Sequence, residues 1–450
     1  MRIKKIIKRA AISISVLLLI FKGFLMYRDY VSYHDVIHKN ADHIVKVRVD
    51  GILQTIALNA VVNPSFYLKK ETKKDSVTEE KDNGKGVSIP ANIFLYTIKE
   101  YSKKTLFTSL KISDTLDFKN YIESKFHITA FEVKSRFTVG LNKDEKIQIA
   151  FNDKQCVVVY NPNKEDVNQV FVDLLNDGKT LDSSDPKWSA IKGANSHINY
   201  LTKNNTIDLD FESGQVVVNG NVVLPVFLDV PKTFKGTRFS KDASITLDLN
   251  VLSTLKYISL NHNNFTIDTD SLNAYYKGHL ALEVAKSTMQ IDSIISYEYN
   301  DDFEKVETLT AVEKEVPEIN VQVTSDGSKL YKYLENKAII SNGRLNKEVF
   351  PLYQLKVDST ENGLFASTNL KADVTAEDLE NVNVLALNID FKKLQEQNYV
   401  PMLNTYLEKL LTLEVNGTRS LDETIAIDGL VQLKNKEINA LAQFFINAKE

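Results

Sequence analysis

A nearly unbroken apolar run near the amino terminus constrains this chain more than any other feature. Residues 9–29 read RAAISISVLLLIFKGFLMYRD, and from Ala10 to Tyr27 only Lys22 is charged. A helix rises about 1.5 Å per residue, so this run would cover about 27 Å, close to the thickness of a bilayer core. Arg2, Lys4, Lys5, Lys8 and Arg9 precede it. A cleaved signal peptide would share the basic and apolar parts but needs a small-x-small cleavage site, which FKGFLMYRD lacks. The expectation is a retained transmembrane anchor over 10–27. By the positive-inside rule the flank 1–9 is cytoplasmic, and Tyr27, Tyr30 and Tyr33 sit at the far interface. Lys22 is the weak point. If the apolar run stops at Phe21, twelve residues remain and a signal-peptide core gains weight.

The chain has 450 residues, enough for two or three domains with their own cores. Its net charge is −4, to which the first nine residues contribute +5, leaving −9 on the remainder. An acidic body argues against nucleic acid as the main partner, because phosphate binding needs a basic face. The single cysteine, Cys156, excludes an internal disulfide and any cysteine-based zinc site. Within KQCVVVY it reads as a small buried hydrophobe on a strand.

The body reads as short strands with helices between them. HIVKVRVDGI, NIFLYTIKE, TLFTSLKIS, FEVKSRFTV, KIQIAFN and QCVVVYN carry strand patterns, while 71–86 lacks apolar periodicity. DTLDFKNYIESKF predicts a helix capped by Asp114, with Leu116, Tyr121 and Ile122 inward. VNQVFVDLL predicts another, with Val167, Val170, Phe171, Leu174 and Leu175 on one face. Asn219-Gly220 suits a tight hairpin turn. Residues 288–312 read as a long hairpin turning at 300–302, and VPMLNTYLEKLLTLEV as the strongest helix in the chain. The expected fold class is α+β: an N-terminal transmembrane helix, then a β-rich ectodomain of mostly antiparallel sheets with flanking helices. Its two halves read as repeated α/β units. The domains expected are the flank 1–9, the anchor 10–27, a stalk 28–42, a first α/β unit 43–230 containing the loop 71–86, and a second unit 231–450 with C-terminal helices.

No motif carries recognisable chemistry. G-x-S-x-G, G-x-x-x-x-G-K-[ST] and G-x-G-x-x-G are all absent. His34 and His38 stand four apart, a spacing that can share a metal, but no H-E-x-x-H pattern surrounds them and they read as surface residues. His127, His197, His262 and His279 are isolated in sequence. Asp208/Asp210 and Asp268/Asp270 read as solvated strand faces rather than calcium ligands. Trp188, in PKW, reads as a core anchor. No catalytic, cofactor-binding or metal-binding residue is assigned, and no cofactor is expected.

The basic flank, single apolar span and long body of short strands resemble single-pass envelope proteins of Bacteroidota-type bacteria. DFESGQVVVNGNV resembles strand repeats of AsmA-like lipid-handling envelope proteins. The resemblance implies an inner-membrane protein with a periplasmic body, touching the lipid bilayer through 10–27. The expected function is a non-enzymatic binding or scaffolding module with an envelope protein partner or lipid. Alternatives are a lipid or hydrophobic-ligand carrier, or a hydrolase whose site is assembled only in space.

Overall fold

Period-two alternation builds most of this protein: the strand patterns noted above pair antiparallel with their neighbours, and FEVKSRFTV divides into two short strands that pair with each other. The computed structural model describes residues 2–34, 36–68, 85–134, 136–182, 184–262, 264–299, 305–371, 378–399, 401–420 and 424–445. The described chain is mostly antiparallel sheet with a few helices. It divides into two units, Met1–Ser213 with Glu437–Glu450, and Gly214–Lys436.

In the first unit the helices are α1 (Arg2–Ser32), α2 (Val49–Val62), α3 (Pro64–Tyr67), α4 (Thr115–Phe126), α5 (Asn168–Leu175) and α6 (Pro186–Gly193). The strands are β1 (Ala41–Arg48), β2 (Asn92–Ile98), β3 (Leu106–Lys111), β4 (Phe131–Val133), β5 (Thr138–Leu141), β6 (Ile147–Phe151), β7 (Gln155–Tyr160), β8 (Ile198–Leu201) and β9 (Thr206–Glu212). They pair antiparallel in the order β9–β8–β1–β2–β3–β7–β6–β5–β4. β7 shows why QCVVVY suits its place. Val157 and Val159 enter the core under α5 and α6, while Cys156 enters the core under α4 and Val158 packs against it. Both faces of this strand are covered, so it needs apolar residues on both.

The first of those cores gathers Ile44, Phe94, Tyr96, Ile98 and Phe107 from the sheet against Val170, Phe171 and Leu174 of α5. Tyr33, Val36 and Ile37, which directly follow α1, are buried in the same core. In α4, Asp114 caps as its position predicts, its Oδ1 accepting from the Leu116 and Asp117 amides at 2.9 Å. Ile122 is buried as expected, but Phe118 rather than Leu116 is its inward neighbour.

The N-terminal transmembrane helix is corrected. α1 is long, yet among the described residues no helix is long and apolar enough to cross a membrane. The physical reason lies in where its charges fall. Lys22 limits the uncharged run to 10–21, about 18 Å at 1.5 Å per residue against a core of about 30 Å. Beyond it, Arg28 and Asp29 are committed to the folded body: Arg28 pairs with Asp50, and the Asn92 amide donates to Asp29 at 2.8 Å.

In the second unit the main strands run in the antiparallel order Gln215–Val222, Ile425–Leu433, Leu410–Arg419, Asn383–Asp390, Ile245–Asn250, Tyr276–Tyr299, Lys305–Ser325, Gly363–Ser367, Lys356–Thr360. The long hairpin is present, with its expected turn outside the described residues. Two expectations change. VPMLNTYLEKLLTLEV is a 3-10 turn (Pro401–Leu403), a short helix (Asn404–Leu407) and then a strand, since Leu410–Arg419 has sheet partners on both sides. Asn219 and Gly220 lie within a continuous strand, opposite Asp428 and Ile427. In both places tertiary pairing outweighs local preference.

Phe107 is fully buried, whereas Leu116 is 70% exposed. Phe107→Ala is expected to destabilise the first unit by about 3–5 kcal/mol. Leu116→Ala should stay within about 0.5 kcal/mol. Urea unfolding of both variants checks this, and equal losses would contradict the assignment.

Candidate functional site

α2 is attached to the body by polar side chains. At its first turn Asp50 accepts two hydrogen bonds of 2.9 Å from the Arg28 guanidinium, a bidentate pair of the strong kind. One turn on, Thr55 meets His197, with Oγ1 2.9 Å from Nε2. His197 Nδ1 accepts from the Phe211 amide at 2.9 Å, which leaves the proton of a neutral ring on Nε2 to donate to Thr55. Thr55 in turn donates to the Gly51 carbonyl at 3.0 Å. Burial lowers the His197 pKa, which favours the neutral ring this chain requires.

Asn59 is the densest of these ties. Its Nδ2 donates to Ser213 Oγ at 3.0 Å and to the Glu437 carbonyl at 2.8 Å. Its Oδ1 accepts from Tyr67 Oη at 2.7 Å and from the Asn439 amide at 3.0 Å. Asn63 adds a bond to the Glu437 carbonyl at 3.2 Å.

The other side of α2 is apolar and uncovered. Leu53 is 58% exposed, Leu58 70%, Val61 79% and Val62 77%, and Leu68 beyond α3 is also exposed. No residue of α2 or α3 is buried, and 51–68 contains no Asp, Glu, Lys or Arg. Ile52, Ile56 and Ala60 are half-buried beside Thr55 and Asn59, so α2 is apolar on both sides, whereas an ordinary surface helix keeps its outward side polar. α1 also carries uncovered apolar side chains, including Leu17, Leu19, Phe21, Phe24 and Met26.

Several other polar groups are buried. Lys46, 1% exposed, donates to the Ile191 and Ala194 carbonyls at 2.9 and 2.7 Å, capping the end of α6, with its ammonium 5.1 Å from the Tyr33 ring centroid. Burial lowers its pKa to about 8. His38, expected on the surface, is buried. Its Nδ1 accepts from the Asn40 amide at 3.1 Å and its Nε2 faces Asp173 at 3.3 Å. Both His34 and His38 lie beyond the end of α1 at Ser32, so the four-residue spacing does not bring them together on one helical face. In the second unit buried His279 stands between Thr324 Oγ1 at 3.1 Å and Asp248 Oδ1 at 2.9 Å. This resembles a hydroxyl–imidazole–carboxylate relay, but all three groups are buried, without the solvent face a nucleophile needs. Burial pushes the Cys156 thiol up to about 12, so it is no nucleophile either.

The acidic pairs also have local tasks. Asp208 accepts from Asn199 and Asp210 from the His197 amide. Asp268 ends a short strand, opposite Ser259, and also caps the helix that follows, accepting from the Ser271 amide; hydrogen bonds from Ser271 and Tyr333 hold its carboxyl well below the usual range. Trp188 packs against the first core as expected. Among the described residues no three His, Cys, Asp or Glu side chains are placed to hold a metal ion. A hollow of about 300 Å³ lies on the sheet face between His43, Val45, Leu95, Leu106 and Tyr200. A second, of about 130 Å³, lies under α1 between Val31, Val36, Ile89 and Leu110.

Lys46 predicts a pH dependence. Its folded pKa lies below its usual 10.5, so the unfolded chain holds this proton more tightly. Its contribution to stability is therefore greatest above 10.5 and is lost as pH falls towards 8. From pH 8 to 9.5 the wild type should gain stability relative to Lys46→Met, read by urea denaturation at each pH. Parallel profiles would contradict the assignment.

No family model matches this chain, and no curated protein matches it. Similar solved structures include three crystal forms of TP0453. Form III is 10% identical with a TM-score of 0.28, form IV 13% with 0.27, and form I 11% with 0.27. Each covers 42% of this chain and 77–78% of the other. A likeness this slight carries no argument about fold or role.

Proposed function

We propose that this protein is a non-enzymatic binding module of the cell envelope, attached to a membrane surface through α1. The observation that carries the reading is the uncovered apolar surface of α1 around Leu17–Met26, preceded in sequence by five cations. Apolar side chains attract lipid by burial, and upstream Lys and Arg attract anionic headgroups. The mode is a helix resting in the boundary of the bilayer. The positive-inside argument needs a span, so no side of the membrane is assigned. Sealed His279, Asp248, Lys46 and Cys156 favour binding over catalysis, because none is open to a substrate. A hydrophobic-ligand carrier has weaker support: the hollows of about 300 and 130 Å³ lie at or below the lower edge of ordinary ligand sites, about 300–1,000 Å³, and a larger one of about 680 Å³ beside Leu58, Asn59 and Ser213 is wide open to solvent.

Vesicle sedimentation of the full chain tests this. The protein should pellet with phosphatidylglycerol-containing vesicles and less with pure phosphatidylcholine. Burying one large apolar side chain is worth about 1.5–3 kcal/mol, so Leu17→Glu with Phe21→Glu should weaken binding by about tenfold or more. Unchanged binding by that variant, or none by the wild type, would refute the reading.

A further inference from the structure

The uncovered aliphatic side of α2 leads beyond α1. We propose that α2 and α3 form a second lipid-binding surface, with Leu53, Leu58, Val61, Val62 and Leu68 entering the acyl boundary of an anionic bilayer. The proposal rests on the membrane reading above but concerns a different surface, separately tested.

A helix whose polar side chains grip the body leaves its aliphatic side for something else. Thr55, Asn59 and Asn63 take the inward positions, while Leu58, Val61 and Val62 take the outward ones. Left in water, each outward side chain forgoes burial worth about 1.5–3 kcal/mol, so the arrangement suits a state in which they are covered.

Three observations select lipid as the cover. First, apart from Gln54, the outward side of α2 is aliphatic. Interface cores between proteins are enriched in Tyr, Trp and Arg, and none of these stands in it. Second, the charges match: 51–68 carries none, and Lys69 and Lys70 follow directly, as suits a segment meeting apolar chains beneath anionic headgroups. Third, α2 is continuous with the proposed attachment, because Asp50 at its start holds Arg28 of α1 through two 2.9 Å bonds. A second copy of the chain would bury the same row but would give no role to the neighbouring lysines.

The test uses full-length protein carrying Cys156→Ala and Leu58→Cys, labelled with the polarity-sensitive dye NBD. A control places the label at Asp153→Cys, in an exposed turn. With vesicles of phosphatidylglycerol and phosphatidylcholine, the label at 58 should shift to the blue and be quenched by doxyl-labelled lipid, and the label at 153 should do neither. Leu58→Glu with Val62→Glu should lower vesicle affinity by about tenfold or more. These are exposed positions, so the variant should keep the wild-type urea midpoint. If vesicles bind but the label at 58 is unquenched, this inference fails and the role of α1 stands. If the wild type does not bind vesicles, both fail. A blue shift that needs no lipid and follows a monomer–dimer equilibrium by sedimentation would make a second copy the occupant and overturn the proposal.

Discussion

The hydrogen bonds converging on Asn59 decide what this protein presents to its surroundings. One amide side chain ties α2 to Ser213, Glu437, Tyr67 and Asn439, and so orients the helix about its axis. With Thr55 and Asn59, and Ile52 and Ile56 beside them, turned towards the body, the helical repeat puts Leu58 and Val61 outward and leaves Val62, three residues on from Asn59, at the margin and exposed. The unusual surface of α2 is thus a consequence of its anchoring. The same bonds draw residues near both ends of the chain into one unit, since Glu437 and Asn439 are among the partners.

Buried polar groups elsewhere serve the fold in a similar way. Lys46 caps the carbonyl end of α6, His38 links the chain after α1 to Asp173 of α5, and His279 joins Asp248 to Thr324 within the second unit's sheet. Each satisfies groups that would otherwise be buried and unpaired, a failure that costs about 1–3 kcal/mol per group. An imidazole between a hydroxyl and a carboxylate looks catalytic on paper. Burial of all three groups makes it a structural tie. The surface proposed to bind is the apolar one, not the ionisable one.

Much of the fold was legible in the sequence because strand alternation and helix caps are local signals. The alternation of β1, β2 and β3, the cap at Asp114 and the core stripe of α5 were all readable. What failed depended on distant partners. The stripe in 401–416 also suits a strand, and only the neighbouring strands select that form. Asn219-Gly220 carries turn chemistry, yet a partner strand holds it extended. At the amino terminus, hydropathy marked an apolar run but could not reveal that Arg28 and Asp29 belong to the body. The candidate surface on α2 escapes a reading of the sequence alone. Its signal, eighteen residues without a charge, is present, but knowing which side faces out requires the distant partners of Asn59, Ser213 and Glu437.

The central claim is that lipid covers the aliphatic side of α2 while the polar anchoring persists. Hydrogen–deuterium exchange of the intact protein, with and without anionic vesicles, tests it most directly. The account predicts slower amide exchange across Val49–Tyr67 when vesicles are present, with β6 and β7 unchanged. Exchange in Val49–Tyr67 that is unaltered or faster on vesicles, under conditions where the protein is bound, would contradict it.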